Sequence, residues 1–255
     1  MSLHVETAGS GRDLVLLHGW GMNAGVWNDT ARELAPYFRV HCVDLPGHGA
    51  SSAGQCCTLD AMADALAVAL PKRVTVCGWS LGGQVALDWA LRVPDQVERL
   101  VLISSTPRFV NGMQWEYGID PAVLDGFARD LAGDHRAALR RFLVLQTQGD
   151  TEARELLRRL RERLFARDQS GVAALEAALR ILQVTDLRDS LPRIAQPALI
   201  LHGERDALAP LAAAEYLQRS LPRAALEVIS GAAHAPFILR PQLTARRIVE
   251  FCDEQ

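Results

Sequence analysis

The sequence predicts an α/β fold in which helices cover both faces of a mostly parallel sheet and a helical segment is inserted in the middle of the chain. Three observations predict it: short apolar runs recur, helical patterns separate most of them, and one long stretch contains helical patterns alone. The runs that indicate strands are residues 14–17, 39–43, 74–77, 100–103, 198–202 and 226–229. This alternation is typical of a parallel sheet, because each crossover between parallel strands needs room for a helix.

The helical patterns are clearest on either side of the third run. Residues 58–70 place Met62, Leu66 and Leu70 at four-residue spacing, and residues 81–91 form a second pattern directly after a glycine-flanked serine. These two segments therefore connect neighbouring strands of the predicted sheet.

The alternation stops after Ile103 and resumes only near Pro197. Helices are predicted between these points at residues 121–124, 136–145, 151–164 and 172–182, with breaks at Gly133, Gly149 and Gly171. We therefore expect one core formed by residues 1–106 and 187–255, with residues 107–186 inserted as a helical lid.

Composition limits the class of protein. At 255 residues and 49% hydrophobic, the chain is long enough to bury one full core, and its net charge of −3 gives no overall attraction to nucleic acid or anionic lipid. The first residues lack the basic and apolar pattern of a secretory signal, and no run approaches the roughly 18 apolar residues of a membrane helix. We expect a soluble, cytoplasmic protein with no nucleic-acid or membrane partner.

The cysteines indicate neither disulfides nor a metal site. There are five of them, Cys42, Cys56, Cys57, Cys77 and Cys252, and no two have C-x-x-C spacing. Cys77 precedes a candidate active-site turn, but its apolar surroundings favour a buried strand residue over a reactive thiol. We expect no metal and no cofactor.

The strongest motif is Gly-Trp-Ser-Leu-Gly-Gly at residues 78–83, which fits G-x-S-x-G between a predicted strand and a predicted helix. A serine on such a sharp turn crowds the residues two before and two after it, which explains Gly78 and Gly82. The following helix N-terminus would stabilise negative charge near Ser80. We predict that Ser80 is a nucleophile; the alternative is a solvated serine in a glycine-rich turn.

A serine nucleophile of this kind needs two backbone N–H groups to stabilise the oxyanion. Leu81, directly after the serine, is expected to supply one. The second is expected from Trp20, in the His-Gly-Trp-Gly loop that follows the first predicted strand. His18 of this loop is interpreted as structural.

Where a serine stands on such a turn, the acid and then the histidine follow it along the chain, each just past a late strand. Asp206 and His234 satisfy that order, so we predict that His234 is the base and that Asp206 orients it. His202 is the main rival base and Glu204 the rival acid. The other histidines do not combine this order with a loop after a strand: His4, His18, His41, His48 and His135. Asp186 and Asp189 precede their strand.

The loop Asp-Leu-Pro-Gly-His-Gly at residues 44–49 also follows a predicted strand. An acid at Asp44 would precede the nucleophile, and the proline and glycines suit a tight connection. We interpret this loop as scaffold.

These features together resemble the α/β-hydrolase superfamily over nearly the entire chain. Four segments resemble, more narrowly, the pimeloyl-[acyl-carrier protein] methyl ester esterases of biotin synthesis: His-Gly-Trp-Gly-Met-Asn (18–23), Gly-Trp-Ser-Leu-Gly-Gly (78–83), Phe-Leu-Val-Leu-Gln-Thr (142–147) and Ala-His-Ala-Pro-Phe (233–237). The resemblance implies hydrolysis of a methyl ester at the far end of a carrier-bound seven-carbon chain, with release of methanol. The thioester to the carrier would be spared.

A helical lid over such a sheet can form an apolar channel that admits a slender acyl chain end-on. The candidates for its wall are Trp20, Trp79, Leu81, Phe142 and Leu208. Ordinary packing is the alternative for each of them.

The lid also carries a surplus of arginine, and the resemblance implies an acidic carrier protein as partner. The arginines between positions 136 and 167 are Arg136, Arg140, Arg141, Arg154, Arg158, Arg159, Arg161, Arg163 and Arg167. Pairs four residues apart share a helical face, so we expect docking of the acyl carrier protein by Arg136, Arg140, Arg141, Arg154 and Arg158. The alternative is a solvated helix, since Lys72 is the only lysine and arginine is this chain's usual cation.

Two other functions remain open from the sequence. The same three catalytic residues would serve a hydrolase of small esters, lactones or ring-fission diketones, from which only the lid would distinguish this chain. A small-molecule receptor without turnover is a different class, which the complete set of catalytic residues disfavours. We expect a monomer.

Overall fold

A computed structural model describes residues 2–52, 58–166 and 171–254. Three residues considered above, Cys56, Cys57 and Arg167, lie outside the described residues.

The central sheet has seven strands in the order β1-β3-β2-β4-β5-β6-β7. Their bounds are β1 Val5–Ala8, β2 Arg12–Leu17, β3 Phe38–Val43, β4 Val74–Trp79, β5 Val97–Ile103, β6 Ala198–Gly203 and β7 Ala224–Ile229. All neighbours pair in parallel except β1, which runs antiparallel to β3. Each predicted strand lies within one of β2 to β7, so the predicted mostly parallel sheet is confirmed.

Helices flank this sheet and fill the connection between β5 and β6. They are α1 Asn28–Leu34, α2 Leu59–Ala69, α3 Leu81–Arg92, α4 Pro121–Gln146, α5 Ala153–Phe165, α6 Val172–Val184, α7 Leu211–Ser220, α8 Pro236–Leu239 and α9 Pro241–Asp253. Two short 3₁₀ helices span Ala24–Trp27 and Arg188–Arg193. Helix α1 packs against α9, and α2 packs against α3. Helices α4, α5 and α6 are the inserted helical region.

The insertion differs from the prediction at Gly133. Two separate helices were expected around this glycine, whereas α4 runs from Pro121 to Gln146 with non-helical backbone only at Asp134 (φ −144°, ψ 91°). The Asp134 carboxylate accepts a hydrogen bond from the Ala137 N–H at 3.0 Å, which caps the second half of the helix. The break is therefore a one-residue kink that a side chain caps locally, rather than a loop.

The arrangement of the sheet determines where a site can form. Strands β4, β6 and β7 are parallel, so their carboxyl ends lie at the same edge. Ser80 directly follows β4, Asp206 lies three residues past the end of β6, and His234 lies five residues past the end of β7. Three distant parts of the chain therefore reach one edge of the sheet.

Over the described ranges, no helix combines the length and apolar character needed to cross a membrane.

Helix α3, which begins at the serine turn, carries a nearly buried carboxylate on its far half. The side chain of Asp88 is 13% exposed, and its nearest cation, Arg92, lies 3.9 Å away. Burial raises the pKa of Asp88 to about 6, and the charge of Asp60 adds to the effect while Arg92 opposes it. Because the folded pKa exceeds the unfolded value, ionised Asp88 destabilises the fold, fully above about pH 6 and progressively less toward pH 4.

We predict that Asp88→Asn raises the melting temperature by about 2–4 °C at pH 8 and has a smaller effect at pH 4.5. The physical reason is that asparagine removes the buried charge that exists only at the higher pH. Asp64→Asn is the matched control, because the hydrogen bond from Arg92 lowers the pKa of Asp64 and its removal should not stabilise the protein. Thermal unfolding at both pH values checks this; a destabilised Asp88→Asn at pH 8 would contradict it.

Candidate active site

Ser80 sits on a strained turn between β4 and α3. Its backbone has φ 57° and ψ −119°, outside the regions that non-glycine residues usually occupy. The Ser80 N–H donates to the Ile103 carbonyl at 3.0 Å, and the Ser105 hydroxyl donates to the Ser80 carbonyl at 2.9 Å. The end of β5 therefore holds the strained residue from both sides. Sequence reasoning missed Ser105, since its hydroxyl meets the turn only through strand pairing.

The glycines around the serine are required by space. A Cβ atom at Gly78 would lie 2.2 Å from the Gly82 carbonyl oxygen, and one at Gly82 would lie 2.4 Å from the Leu17 carbonyl oxygen. Real Cβ atoms do not approach backbone so closely. The crowding expected from the motif is thus present in the turn, and it extends to the end of β2.

The structure brings Ser80, His234 and Asp206 into one hydrogen-bonded chain. Ser80 Oγ lies 2.9 Å from His234 Nε2, and His234 Nδ1 lies 2.8 Å from Asp206 Oδ2. This geometry fits an imidazole that donates from Nδ1 to the carboxylate and accepts the serine proton at Nε2. Ser80 is 4% exposed and His234 is 1% exposed, so the chain of bonds is shielded from bulk water.

Asp206 is held as a carboxylate despite its burial. Burial alone would raise its pKa, but the charge and hydrogen bond of His234, the nearby His202 and the Ala209 N–H outweigh it, so the pKa of Asp206 lies below its ordinary value. Its second oxygen accepts from the N–H groups of Leu208 and Ala209 at 2.9 and 3.0 Å. An ionised, oriented acid is what the imidazole needs when it becomes charged.

The rival residues have other hydrogen-bond partners, although His202 lies beside the candidate acid, with its Nε2 3.6 Å from Asp206 Oδ2. His202 is buried with Nε2 directed to the Ala209 carbonyl at 2.7 Å, and burial lowers its pKa. Glu204 is exposed and accepts from the Ser230 hydroxyl and the Gly231 N–H. Asp44 is buried, and its two oxygens accept from the backbone N–H groups of Ala24 and Ala50. None of the three contacts Ser80, and Asp44 joins two loops as the scaffold interpretation expects.

Two unpaired N–H groups lie beside the serine. Within the described parts of the chain, the backbone N–H groups of Trp20 and Leu81 have no hydrogen-bond acceptor. Leu81 is the first residue of α3, where N–H groups are free. The loop that carries Trp20 packs against Ser80, because a Cβ atom at Gly19 would lie 3.2 Å from Ser80 Cβ. These N–H groups are the candidate oxyanion donors.

His18 fixes the shape of that loop. Its Nδ1 donates to the Gly19 carbonyl at 2.8 Å, and its Nε2 accepts from the Leu45 N–H at 3.0 Å. The Gly19 carbonyl belongs to the same peptide unit as the Trp20 N–H, so this bond sets the direction of the candidate donor. Burial lowers the pKa of His18 to about 3, with a contribution from His48, so the ring stays neutral near pH 7.

Comparison with known proteins places this site in a family. A family model described as alpha/beta hydrolase fold matches residues 14–241. The chain is 45% identical to the pimeloyl-[acyl-carrier protein] methyl ester esterase of Nitrosomonas europaea, covering 94% of this chain and 96% of that relative. It is 43% identical to the protein of the same name from Chromobacterium violaceum, with full coverage of both chains.

The chain belongs to the α/β-hydrolase family, and within it to the pimeloyl-[acyl-carrier protein] methyl ester esterases. Among solved structures, it is similar to an esterase from Exiguobacterium antarcticum, with a TM-score of 0.88, 25% identity and coverage of 99% of this chain and 96% of that one. The resemblance stated from the four sequence motifs is thereby confirmed.

In this member of the esterase family, the five predicted channel residues are all buried. Trp20 packs edge-on to Phe142 at 4.6 Å between ring centres, and its indole N–H donates to the Leu175 carbonyl of α6. The Trp79 indole N–H donates to the His234 carbonyl at 2.7 Å. Leu81 and Leu208 are also buried. Trp20 thus joins the lid to the loop at residues 18–21, and Trp79 holds the backbone of the candidate base.

The five lid arginines divide into two groups. Arg141 pairs with Asp130, and Arg158 pairs with Glu155 and Glu162. Arg136, Arg140 and Arg154 are exposed, and none has a carboxylate within salt-bridge distance in the described segments. Arg140 instead lies over the Phe165 ring at 5.9 Å. The second group has charge available for a partner.

We predict that Asp206→Asn lowers kcat for a small ester by about 10³- to 10⁴-fold, because the amide cannot stabilise the imidazolium and favours the wrong tautomer of His234. Glu204→Gln, in the same loop, is the matched control and should stay near the parent value. Steady-state hydrolysis of p-nitrophenyl butyrate by the three proteins checks this. A similar loss of kcat in both variants would contradict the assignment of Asp206 as the acid.

Proposed function

We propose that this chain hydrolyses the methyl ester of pimeloyl-acyl carrier protein methyl ester, releasing methanol and pimeloyl-acyl carrier protein for biotin synthesis. The observation that carries the proposal is the hydrogen-bonded chain from Ser80 through His234 to Asp206, in a member of this esterase family. We also propose the roles of the individual residues in this reaction.

In the first half-reaction, Ser80 Oγ attacks the carbonyl carbon of the methyl ester while His234 Nε2 takes the hydroxyl proton. The negative charge that develops on the carbonyl oxygen is stabilised by the N–H groups of Trp20 and Leu81. The C–O bond to methoxide then breaks as His234 returns the proton, so methanol leaves and an acyl ester of Ser80 remains. Asp206 stabilises the imidazolium throughout.

In the second half-reaction, water replaces methanol as the partner of His234. The imidazole takes one proton from water as its oxygen attacks the acyl carbonyl, and the same two N–H groups stabilise the second oxyanion. Collapse breaks the bond to Ser80 Oγ, which recovers its proton from His234. The product is the free carboxyl end of the acyl chain.

The lid explains how a reactive thioester could be spared. Ser80 is almost fully buried, and the lid packs against the neighbouring Trp20, so a bond is cleaved only if a slender chain carries it to that depth. A methyl ester at the end of a seven-carbon chain can reach the serine while the thioester remains outside. Selectivity then depends on position and not on the intrinsic reactivity of the two bonds.

The lid surface supports docking of an acidic carrier. Helices α4 and α5 carry the exposed Arg136, Arg140 and Arg154, whose charges are not neutralised by carboxylates in the described residues. Close by, a groove of about 690 Å³ is lined mainly by apolar side chains, including Val123, Phe127 and Val144. Cations beside an apolar groove match an acidic protein that delivers an acyl chain.

We predict that the double variant Arg136→Glu/Arg154→Glu raises KM for methyl pimeloyl-carrier protein about tenfold or more, while turnover of free dimethyl pimelate stays unchanged. The reason is that charge reversal repels the carrier but leaves the catalytic residues intact. Arg219→Glu on α7 is the control for a general loss of positive charge. Methanol release with both substrates checks the prediction.

Added salt should weaken activity on the carrier substrate alone, since it screens the arginine contacts. Equal KM values for parent and double variant would contradict docking at these arginines. Turnover of either substrate by Ser80→Ala at the parent rate would contradict the mechanism itself.

A further inference from the structure

The connector between α4 and α5 lies against the loop that carries His234. This connector spans residues 147–152, and Thr151 N–H donates to the Gly231 carbonyl at 3.0 Å. The His234 N–H donates to the carbonyl of Gln146, the last residue of α4, at 3.3 Å. The lid therefore contacts the backbone of the candidate base itself.

Asp150 carries the side-chain bond between the two segments. Its Oδ2 accepts from the Ala233 N–H at 2.8 Å, and its Oδ1 accepts from the Glu152 N–H at 2.8 Å. Asp150 is buried, so both bonds form away from bulk water, where a hydrogen bond to a charged acceptor is strong. Ala233 directly precedes His234, and the bond therefore restrains the peptide that leads into the catalytic imidazole.

The same connector also meets the loop of the acid. Gly149 has φ +92°, and a Cβ atom there would lie 2.8 Å from the Arg205 carbonyl oxygen. The Arg205 N–H in turn donates to the Ala232 carbonyl at 2.9 Å. Three segments thus meet at one point, namely the lid connector, the acid loop and the base loop.

From the other side, Trp79 holds the His234 carbonyl at 2.7 Å. His234 is therefore fixed between the turn that carries the nucleophile and the connector of the lid. The distance from His234 Nε2 to Ser80 Oγ depends on both supports, and a displacement of about 1 Å in a catalytic group can cost up to a hundredfold in rate.

We propose that Asp150 is a positioning residue for the reaction: through Ala233 it holds the base loop so that His234 stays within proton-transfer reach of Ser80. This inference rests on the proposed roles of Ser80 and His234. It adds that the lid, besides admitting substrate, supports the catalytic base.

The test compares Asp150→Ser with Asp150→Asn. Serine can still accept from the N–H two residues ahead, which keeps the local turn, but it is too short to reach Ala233. Asparagine has one carbonyl oxygen, which can accept from the Ala233 N–H, while its NH2 group faces the Glu152 N–H and cannot accept from it. This variant therefore keeps the bond to the base loop and loses the local turn bond, the reverse of Asp150→Ser. Asp134→Ser is the matched control, because Asp134 also caps backbone in the lid but has no bond to the base loop.

For Asp150→Ser, we expect kcat to fall about ten- to a hundredfold with KM within twofold of the parent, for both a small ester and the carrier substrate. The kcat of Asp150→Asn should lie within about threefold of the parent value, and the kcat of Asp134→Ser should equal that of the parent. The rate at which a fluorophosphonate labels Ser80 should follow kcat. The endpoint of labelling counts folded sites, so a loss of folded protein is separated from a loss of reactivity.

Parent-like kcat in Asp150→Ser would overturn the inference, as would a change confined to KM or an Asp150→Asn variant as slow as Asp150→Ser. If the fluorophosphonate does not label Ser80 in the parent protein, the proposed function itself would be contradicted. The two failures are therefore distinguishable.

Discussion

The candidate active site depends on one hydrogen bond, between the hydroxyl of Ser80 and Nε2 of His234, which joins residues 154 positions apart. The surrounding backbone contacts hold the turn that carries Ser80 and the loop that carries His234 at a fixed separation. The serine stands in a strained conformation because glycines leave room for it and because Ile103 and Ser105 hold its backbone. That strain is stable only within a sheet whose strands are already paired.

The sheet and the order of its functional loops could be predicted from the sequence because both follow from local rules. Apolar runs mark β2 to β7, and the glycines around Ser80 mark a turn that few other residues could form. Strand β1 was not predicted, because its four residues are half-exposed and show no alternating pattern. The continuity of α4 was also missed, since a glycine next to a capping aspartate gives the same signal for a kink as for a loop.

The supports of the candidate base could not be predicted, and the reason is physical. Asp150 and Ala233 are 83 residues apart, and their bond forms only after the lid connector has packed on the base loop. Nothing in the local sequence distinguishes Asp150 from an ordinary aspartate that caps a turn. The same holds for Trp79, whose position in the motif suggested a channel wall while its indole N–H binds the His234 carbonyl. Long-range contacts to backbone atoms leave no local pattern.

Burial gives the site a consistent electrostatic character. His18, His48 and His202 have pKa values lowered by burial, so they remain neutral supports near pH 7, whereas the charge and hydrogen bond of His234 lower the pKa of Asp206 despite its burial. Below about pH 6.5 these histidines bind protons in the unfolded chain but stay neutral in the folded protein. Acid therefore favours unfolding.

In the proposed mechanism, Ser80, His234 and the two unpaired N–H groups surround one reacting carbonyl. A crystal structure of the protein labelled with a methyl fluorophosphonate tests it most directly. We expect phosphorus bonded to Ser80 Oγ, His234 Nε2 within hydrogen-bond distance of that oxygen, and the phosphoryl oxygen about 3 Å from the backbone nitrogens of Trp20 and Leu81. A label on another residue, or a phosphoryl oxygen directed away from both nitrogens, would contradict it.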